Sequence, residues 1–573
     1  MRRIWKNILI LSLVLLAMLT GALAGSTDPE TGKQPETTRI LVIETTDIHG
    51  YIMDASSGRE ETFQYRLAYI AHLIREARNS GEYDDVLLLD GGDLYQGTPV
   101  SNMTGGAAIR AALDAMDYDA IALGNHEFDW DVTEYAADGD GTIAPYVLGG
   151  YFGDEKTPIL APELYDAATG ERVPFSKDFA MVEKAGLRLA IVGYIPDYRE
   201  SIMQEKIAPY VIDSDLRKLD ALARRVRAEE QPDALIILAH EAPAGIAEAM
   251  DPAVVDLVAG GHTHEIAAGR AVNGIPYMQG YYYANGFASA VLTIGTNGGV
   301  TIEDVQYTSI TDKPELLYAS EENEAHLDPD IMEISYATWS AVQEEMSEVL
   351  GYTDTPILKV REVGACSAGN WVTGLMLQAT RADGAIMAFY NLDGIRTSLV
   401  MPENQTTREI TVYDIYTITP FANSLLLYDL NGQELAALLQ QGLNVPNYGD
   451  QMTGLTFTYT ATGDSGTPRQ ERVFTIQSIT LDDGTEVDIH DTETLYRVCT
   501  TNFNATMPGS VFENKEPIIP MADAPIDNEA FIRLLREGRK TNGGYVPVDT
   551  GARGVNVTEV NTQDETAPSV TVP

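Results

Sequence analysis

Short aliphatic runs alternate with amphipathic stretches through the first half of the chain. Ile40–Glu44, Val86–Leu89, Ala120–Leu123, Leu189–Ile195, Leu235–Ala239 and Val255–Ala259 have the length and β-branched content of buried strands. Between them, Phe63–Arg78 sets Leu67, Ile70, Ala71 and Ile74 at helical spacing, and Ala107–Met116 and Asp215–Glu229 also read as helices. Strands separated by helices indicate an α/β layered domain, expected over residues 39–311. Residues 312–327 are polar and acidic, and Asp328–Leu350 reads as a long helix that Gly351 would end, so 312–351 is expected to be a linker with a helix. A second α/β domain follows over 352–550. It has a helical stretch near Trp371–Ala382 and strands at Ala385–Tyr390, Leu425–Tyr428, Leu455–Tyr459, Phe474–Leu481 and Tyr496–Thr500. From Gly551 to Pro573 the chain is rich in Thr, Glu, Val and Pro and is expected to be disordered.

Composition changes this picture in three places. Arg2, Arg3 and Lys6 precede the apolar run Ile8–Leu19 and then Ala22-Leu23-Ala24, which together predict a signal peptide over residues 1–24 and an exported chain. That run is short for a membrane span, and no other stretch is apolar enough to cross a bilayer, so no membrane association is expected after cleavage. Acidic residues outnumber basic ones by 85 to 38, a net charge of −47, which disfavours nucleic acid polymers and anionic membranes as partners. A small anionic substrate would need a local positive site, from bound metal ions or a few arginines. Cys366 and Cys499 are too few for a disulfide framework; they either pair or are both buried thiols.

The chemistry gathers at the ends of the predicted strands. After Ala120–Leu123 comes Gly124-Asn125-His126-Glu127-Phe128-Asp129, where glycine permits a sharp turn and Asn125 offers a neutral oxygen ligand. His126 supplies an imidazole that holds or donates a proton near neutral pH, and Asp129 is close enough to orient it. Comparable groups follow other strands: Asp47-Ile48-His49, Gly92-Asp93, His240 and His262-Thr263-His264. Five of the eight histidines fall in these segments, so the set carries a meaning that a lone Asp-x-His or His-x-His does not. Ligands at successive strand ends share one rim of a sheet, the usual ligand position in α/β folds. Two aspartates, an asparagine and four histidines satisfy two divalent cations with one carboxylate bridging, and a pair about 3.5–4 Å apart clamps a phosphoryl group. Mixed nitrogen and oxygen ligands suit Zn, Mn, Fe or Co.

In order and type this series resembles the calcineurin-like metallophosphoesterases. Gly-Asn-His-Glu-Phe-Asp, an export signal and a second domain narrow the resemblance to the 5′-nucleotidase family, which includes UDP-sugar hydrolases and 2′,3′-cyclic-nucleotide phosphodiesterases with 3′-nucleotidase activity. The likeness implies that Asp47, His49 and His264 hold one metal and Asn125, His240 and His262 the other, with Asp93 bridging. It implies that His126 stabilises the phosphoryl oxygens or protonates the leaving group, with Asp129 polarising it. In the second domain, Lys359-Val360-Arg361 and Asn391-x-Asp393-Gly394-Ile395-Arg396 resemble the family's phosphate-side loops, so Arg361, Asn391 and Arg396 are expected at the substrate. Pro420-Phe421-Ala422-Asn423 and Asn502-Phe503-Asn504-Ala505 resemble its base-stacking segments, implicating Phe421, Asn423 and Phe503. Where the family continues Gly-Gly-Asp-Gly-Tyr, with an aspartate on the ribose hydroxyls, this chain has Thr506-Met507-Pro508-Gly509-Ser510, and no ribose contact carries over. The implied activity is release of phosphate from nucleotides by metal-activated water. The alternatives are the cyclic-nucleotide or UDP-sugar reactions or, in another class, a surface binding protein on a decayed enzyme scaffold.

Overall fold

A computed structural model describes residues 37–55, 60–129, 157–295, 298–361, 366–444, 449–463 and 471–558. The expected signal peptide and the end of the tail, residues 559–573, lie outside the described residues.

The aliphatic runs of the first half become the middle strands of two six-stranded sheets. One sheet runs Val300–Ser309, Gly286–Ile294, Thr38–Thr45, Asp85–Asp90, Ala120–Ala122 and Ile159–Leu160; the other runs Ile266–Arg270, Pro276–Gly280, Leu257–Ala259, Ala234–Ala239, Leu187–Tyr194 and Phe179–Lys184. Alternation within each strand explains the layering. Ile40, Val42, Leu87 and Leu89 face Leu189, Ile191, Ile236 and Leu238 in one buried core between the sheets. Their neighbours Leu41, Ile43, Val86 and Leu88 point outward, beneath the helices Arg66–Asn79 and Ala107–Met116. On the far side Ala190, Val192, Leu235 and Ile237 receive the helix Leu216–Glu230. Continuous apolar runs are what strands covered on both faces require.

The second half folds around the four-stranded sheet Leu425–Asn431, Leu495–Thr501, Met387–Asn391 and Asp450–Thr453, against the helices Ser367–Thr380 and Gly432–Asn444. The expected helix between the halves is present as Pro329–Met346, with Asp328 as its N-cap, and it is packed rather than bridging solvent. Trp339 is buried, donates from Nε1 to Glu60 Oε1 at 2.9 Å and meets Phe63 edge-on at 4.8 Å. One continuous apolar core therefore runs from the first sheet through this helix to Phe531 and Val546.

Two expectations need correction. Gly351 does not end the helix, which stops at Met346; it lies in the strand Val349–Thr353, paired with Arg408–Thr411. A Cβ there would sit 2.5 Å from the Gly544 carbonyl oxygen, so the glycine serves a close approach of two backbones. The tail expected to be disordered from Gly551 begins as the strand Gly554–Asn556, which pairs in parallel with Phe457–Tyr459. The open edge of that sheet supplies partners that composition does not reveal. Cys366 and Cys499 are free, buried thiols.

Candidate metal centre and substrate cleft

The parallel strands of both sheets end at a common rim. Thr38–Thr45 leads to Asp47 and His49, Asp85–Asp90 to Asp93, and Ala120–Ala122 to Asn125 and His126; Ala234–Ala239 leads to His240, and Leu257–Ala259 to His262 and His264. Asp47, His49, Asp93, His262 and His264 all have left-handed backbones, with φ between 49° and 67°. Such conformations are uncommon outside glycine and cluster where the surroundings enforce them for a functional reason.

The side chains converge. His264 Nε2 lies 3.2 Å from His49 Nε2 and 3.3 Å from Asp47 Oδ1. Asp93 Oδ2 lies between the groups, 3.2 Å from His240 Nε2 and 3.8 Å from His49 Nε2. Asn125 Oδ1 is 3.1 Å from His240 Nε2 and 3.0 Å from His262 Nδ1. Each of several residues has one atom tied back and the other left facing its neighbours. His49 and His240 donate from Nδ1 to the carbonyls of Gln96 and Gly91, at 2.8 and 2.7 Å, which turns Nε2 of each ring toward the other side chains. Asp47 Oδ2 accepts from Thr46 and from the His262 amide, while Oδ1 is buried without a hydrogen-bond donor.

The electrostatics fit such a set. Burial holds His49 well below the ordinary imidazole range and, helped by His240, takes His262 down to about 4, so both are neutral. Burial opposes ionisation of Asp93, but His240, His126 and His49 outweigh it and hold the carboxyl well below its ordinary value. Burial equally opposes a charge on His240, yet Asp93 lifts it to about 10. Positive charge is thus favoured at one point of the rim, on His240 beside Asp93.

His126 sits beside this group. Its amide donates to Asp93 Oδ1 at 2.8 Å, and its Nδ1 bonds Asp129 Oδ2 at 2.6 Å. Burial lowers its basicity, but Asp129 and Asp93 leave it net raised. His126 also forms a close three-residue group with His49 and Asp93. Asn391, Arg396, Phe421, Asn423 and Phe503 join His126 and Asp129 around one cavity of about 140 Å³. Phe421 stacks on His126 with centroids 5.8 Å apart, and the Arg396 guanidinium lies 5.6 Å over the Phe421 ring. Asn423 is buried, and its amide donates to Tyr390 Oη and to Asp527. Arg361 does not line the cavity; it reaches the edge through a 2.8 Å ion pair with Asp393, which does.

Sequence reasoning missed three supports. Glu127 is buried, and its Oε2 accepts from the amides of Asp93 and Gly124, at 3.0 and 2.7 Å, while Oε1 accepts from Leu94 at 2.8 Å. One carboxylate thus clamps the Asp93 loop to the Asn125 turn. Tyr198 stacks on His262 at 3.8 Å and Tyr282 on His264 at 4.6 Å, each holding an imidazole plane. The run Tyr281-Tyr282-Tyr283 after the strand Pro276–Gly280 was the available signal for the second of these.

Residues 40–265 match the calcineurin-like phosphoesterase family, and residues 349–513 match the 5′-nucleotidase C-terminal domain. The chain belongs to the 5′-nucleotidase family. It is 24% identical to a 5′-nucleotidase of Vibrio cholerae over 75% of this chain and 80% of that one. It is 26% identical to Protein UshA of Escherichia coli over 86% of this chain and 90% of that one. Among solved structures, a 5′-nucleotidase precursor from Thermus thermophilus superposes with a TM-score of 0.68 at 20% identity, covering 91% of this chain and all of that one, which shows the shared two-part α/β fold. The chain is accordingly a metal-dependent hydrolase of the phosphoesterase class.

Proposed function

We propose that the protein is an exported hydrolase that releases phosphate from nucleotides, working with two divalent cations. The observation that carries this reading is the convergence of nitrogen and oxygen donor atoms from five strand ends at one rim. Asp47, His49 and His264 would hold one cation, Asn125, His240 and His262 the other, and Asp93 would be shared. The donor set suits this, because Asp47 Oδ1 is buried with no hydrogen-bond partner and lies within reach of the His264 ring nitrogen. When bound, such cations supply Lewis-acid polarisation of phosphoryl oxygens and lower the pKa of coordinated water. The remaining steps belong to the chain. The bond from His126 to Asp129 fixes the imidazole with Nε2 as the free nitrogen, positioned to donate to a phosphoryl oxygen or to the departing oxygen. Arg396 adds a guanidinium for phosphate in the same cavity, and Phe421 and Phe503 add faces on which a base can stack. The retained ligand geometry disfavours a binding protein on a decayed scaffold. Export rests on the N-terminal pattern; no helix among the described residues is long and apolar enough to cross a membrane.

A second reading, hydrolysis of a nucleotide sugar, draws support from a neighbouring cavity of about 670 Å³ that shares Ser201, Asn391, Asp393 and Phe503 with the first and has room for a larger leaving group. The test is a panel of AMP, UDP-glucose, 2′,3′-cyclic AMP and p-nitrophenyl phosphate on the wild type and on Phe421→Ala and Phe503→Ala. Nucleotide kcat/KM should fall by the equivalent of about 1–3 kcal/mol in both variants, with the aryl phosphate little changed. Equal losses on all substrates would make the rings structural and remove the support for nucleotides.

A further inference from the structure

A carboxylate faces the part of the cleft where a phosphorylated substrate would enter. Asp393 lies in the 3₁₀ turn Leu392–Gly394 that follows the strand Met387–Asn391, and it lines both cavities, as does Phe503. Gly394 lets this turn sit tight, since a Cβ there would meet the Tyr390 ring at 2.6 Å. An uncompensated carboxylate here would repel a phosphate, and this one is compensated: Oδ1 takes Arg361 at 2.8 Å and Lys359 at 3.9 Å. Both ion pairs reach Oδ1, and the side chain is 47% exposed. What remains is a carboxylate acceptor, held by Arg361 and Lys359, in a cleft it shares with the Phe503 ring. Such a group does not bind phosphate; it accepts hydrogen bonds from hydroxyls, and a carboxylate matches a vicinal diol.

We propose that Asp393 is the residue that recognises the sugar hydroxyls of the leaving group, taking the contact left open by Thr506-Met507-Pro508-Gly509-Ser510. The inference rests on the nucleotide reading above and deepens it: the substrate class is ribonucleotides. Arg361 and Lys359 act through Asp393 by holding its carboxylate in place. The rival role is an ion-pair post that only orients Arg361, and the two roles separate in a ratio. Hydrogen bonds to a charged partner predict that AMP exceeds 2′,3′-dideoxy-AMP in kcat/KM by about 10–100-fold in the wild type. Because both substrates carry the same phosphate and base, anything done to Arg361 cancels.

The experiment measures that ratio in the metal-replete wild type, Asp393→Ala and Asp393→Asn, with p-nitrophenyl phosphate as a control for the metal centre and circular dichroism as a control for folding. The expected result is a ratio near one for Asp393→Ala and an intermediate one for Asp393→Asn, which keeps an acceptor oxygen without the charge. A wild-type ratio near one, or one unchanged in both variants while AMP is still hydrolysed, overturns the Asp393 assignment and leaves the nucleotide reading standing. Hydrolysis of the aryl phosphate with no turnover of AMP overturns both.

Discussion

His126 and Asp129 make the smallest separable unit of the site. The 2.6 Å bond between them orients an imidazole that the proposed mechanism uses for proton donation and not for coordination. His126→Ala should therefore lower kcat by about 10²–10⁴ while metal content, read by plasma mass spectrometry, stays at the wild-type level. Loss of metal in this variant would place His126 among the ligands. At this scale the sequence was informative wherever a residue type has few structural uses. Asp47, His49, Asp93, Asn125, His240, His262 and His264 announce themselves because acids and histidines seldom follow strand after strand. Tyr198 and Tyr282 do not: a tyrosine is equally at home in a core, and only the fold brings their rings over His262 and His264. Arg361 shows the opposite failure, a motif residue that the fold turns toward Asp393 instead of into the cavity.

Among elements, the turn after Ala120–Ala122 shows how closely two loops pack to bring Asp93 and Asn125 to the rim. A Cβ added at Gly124 would stand 2.2 Å from Asp93 Oδ1 and 2.5 Å from the Asp93 amide nitrogen, with Glu127 Oε2 at 2.8 Å. Gly124→Ala must push the Asp93 loop away from the Asn125 turn. It should lower both metal occupancy and unfolding free energy, the latter by about 1–3 kcal/mol, the usual range for overpacking. Calorimetry and metal analysis test this together, and a variant that keeps full occupancy and its melting temperature would refute the clamp. The strands that lead to the proposed ligands were legible because both their faces are buried, which writes an unbroken apolar run into the chain. Ile266–Arg270 and Val300–Ser309 lie at sheet edges with alternating or largely exposed faces, and that pattern gave no comparable signal. Gly351 misled because a glycine after a helix reads as a cap, whereas here it accommodates the Gly544 backbone.

Across the whole molecule, the two parts share one core, and the cleft between them is assembled from both. Its C-terminal side rests on Asp527, buried at the start of the helix Asp527–Asn542 and accepting from Asn423, the Asn528 amide and Tyr390. Burial, only partly offset by those bonds, pushes its carboxyl up to about 7. Below about pH 4 the group is protonated in the folded and unfolded chains alike. Above that the unfolded chain gives up its proton first, so stability falls as pH rises toward about 7 and levels off beyond it. Asp527→Asn should remove that part of the decline, as denaturant unfolding at pH 5 and pH 8 would show; an undiminished decline would mean that Asp527 is ionised in the fold.

With a net charge of −47, the rim would be the natural place for an anionic substrate once the proposed cations are bound, and that metal requirement is the claim on which the mechanism turns. The direct measurement is phosphate release from AMP by protein stripped with a chelator and then titrated with Mn²⁺, Zn²⁺ or Co²⁺, with bound metal counted at each point. Activity should be absent after stripping and should return to its maximum as occupancy reaches two cations per chain. Full turnover by the stripped protein, or saturation of activity at one cation per chain, would contradict the shared site at Asp93.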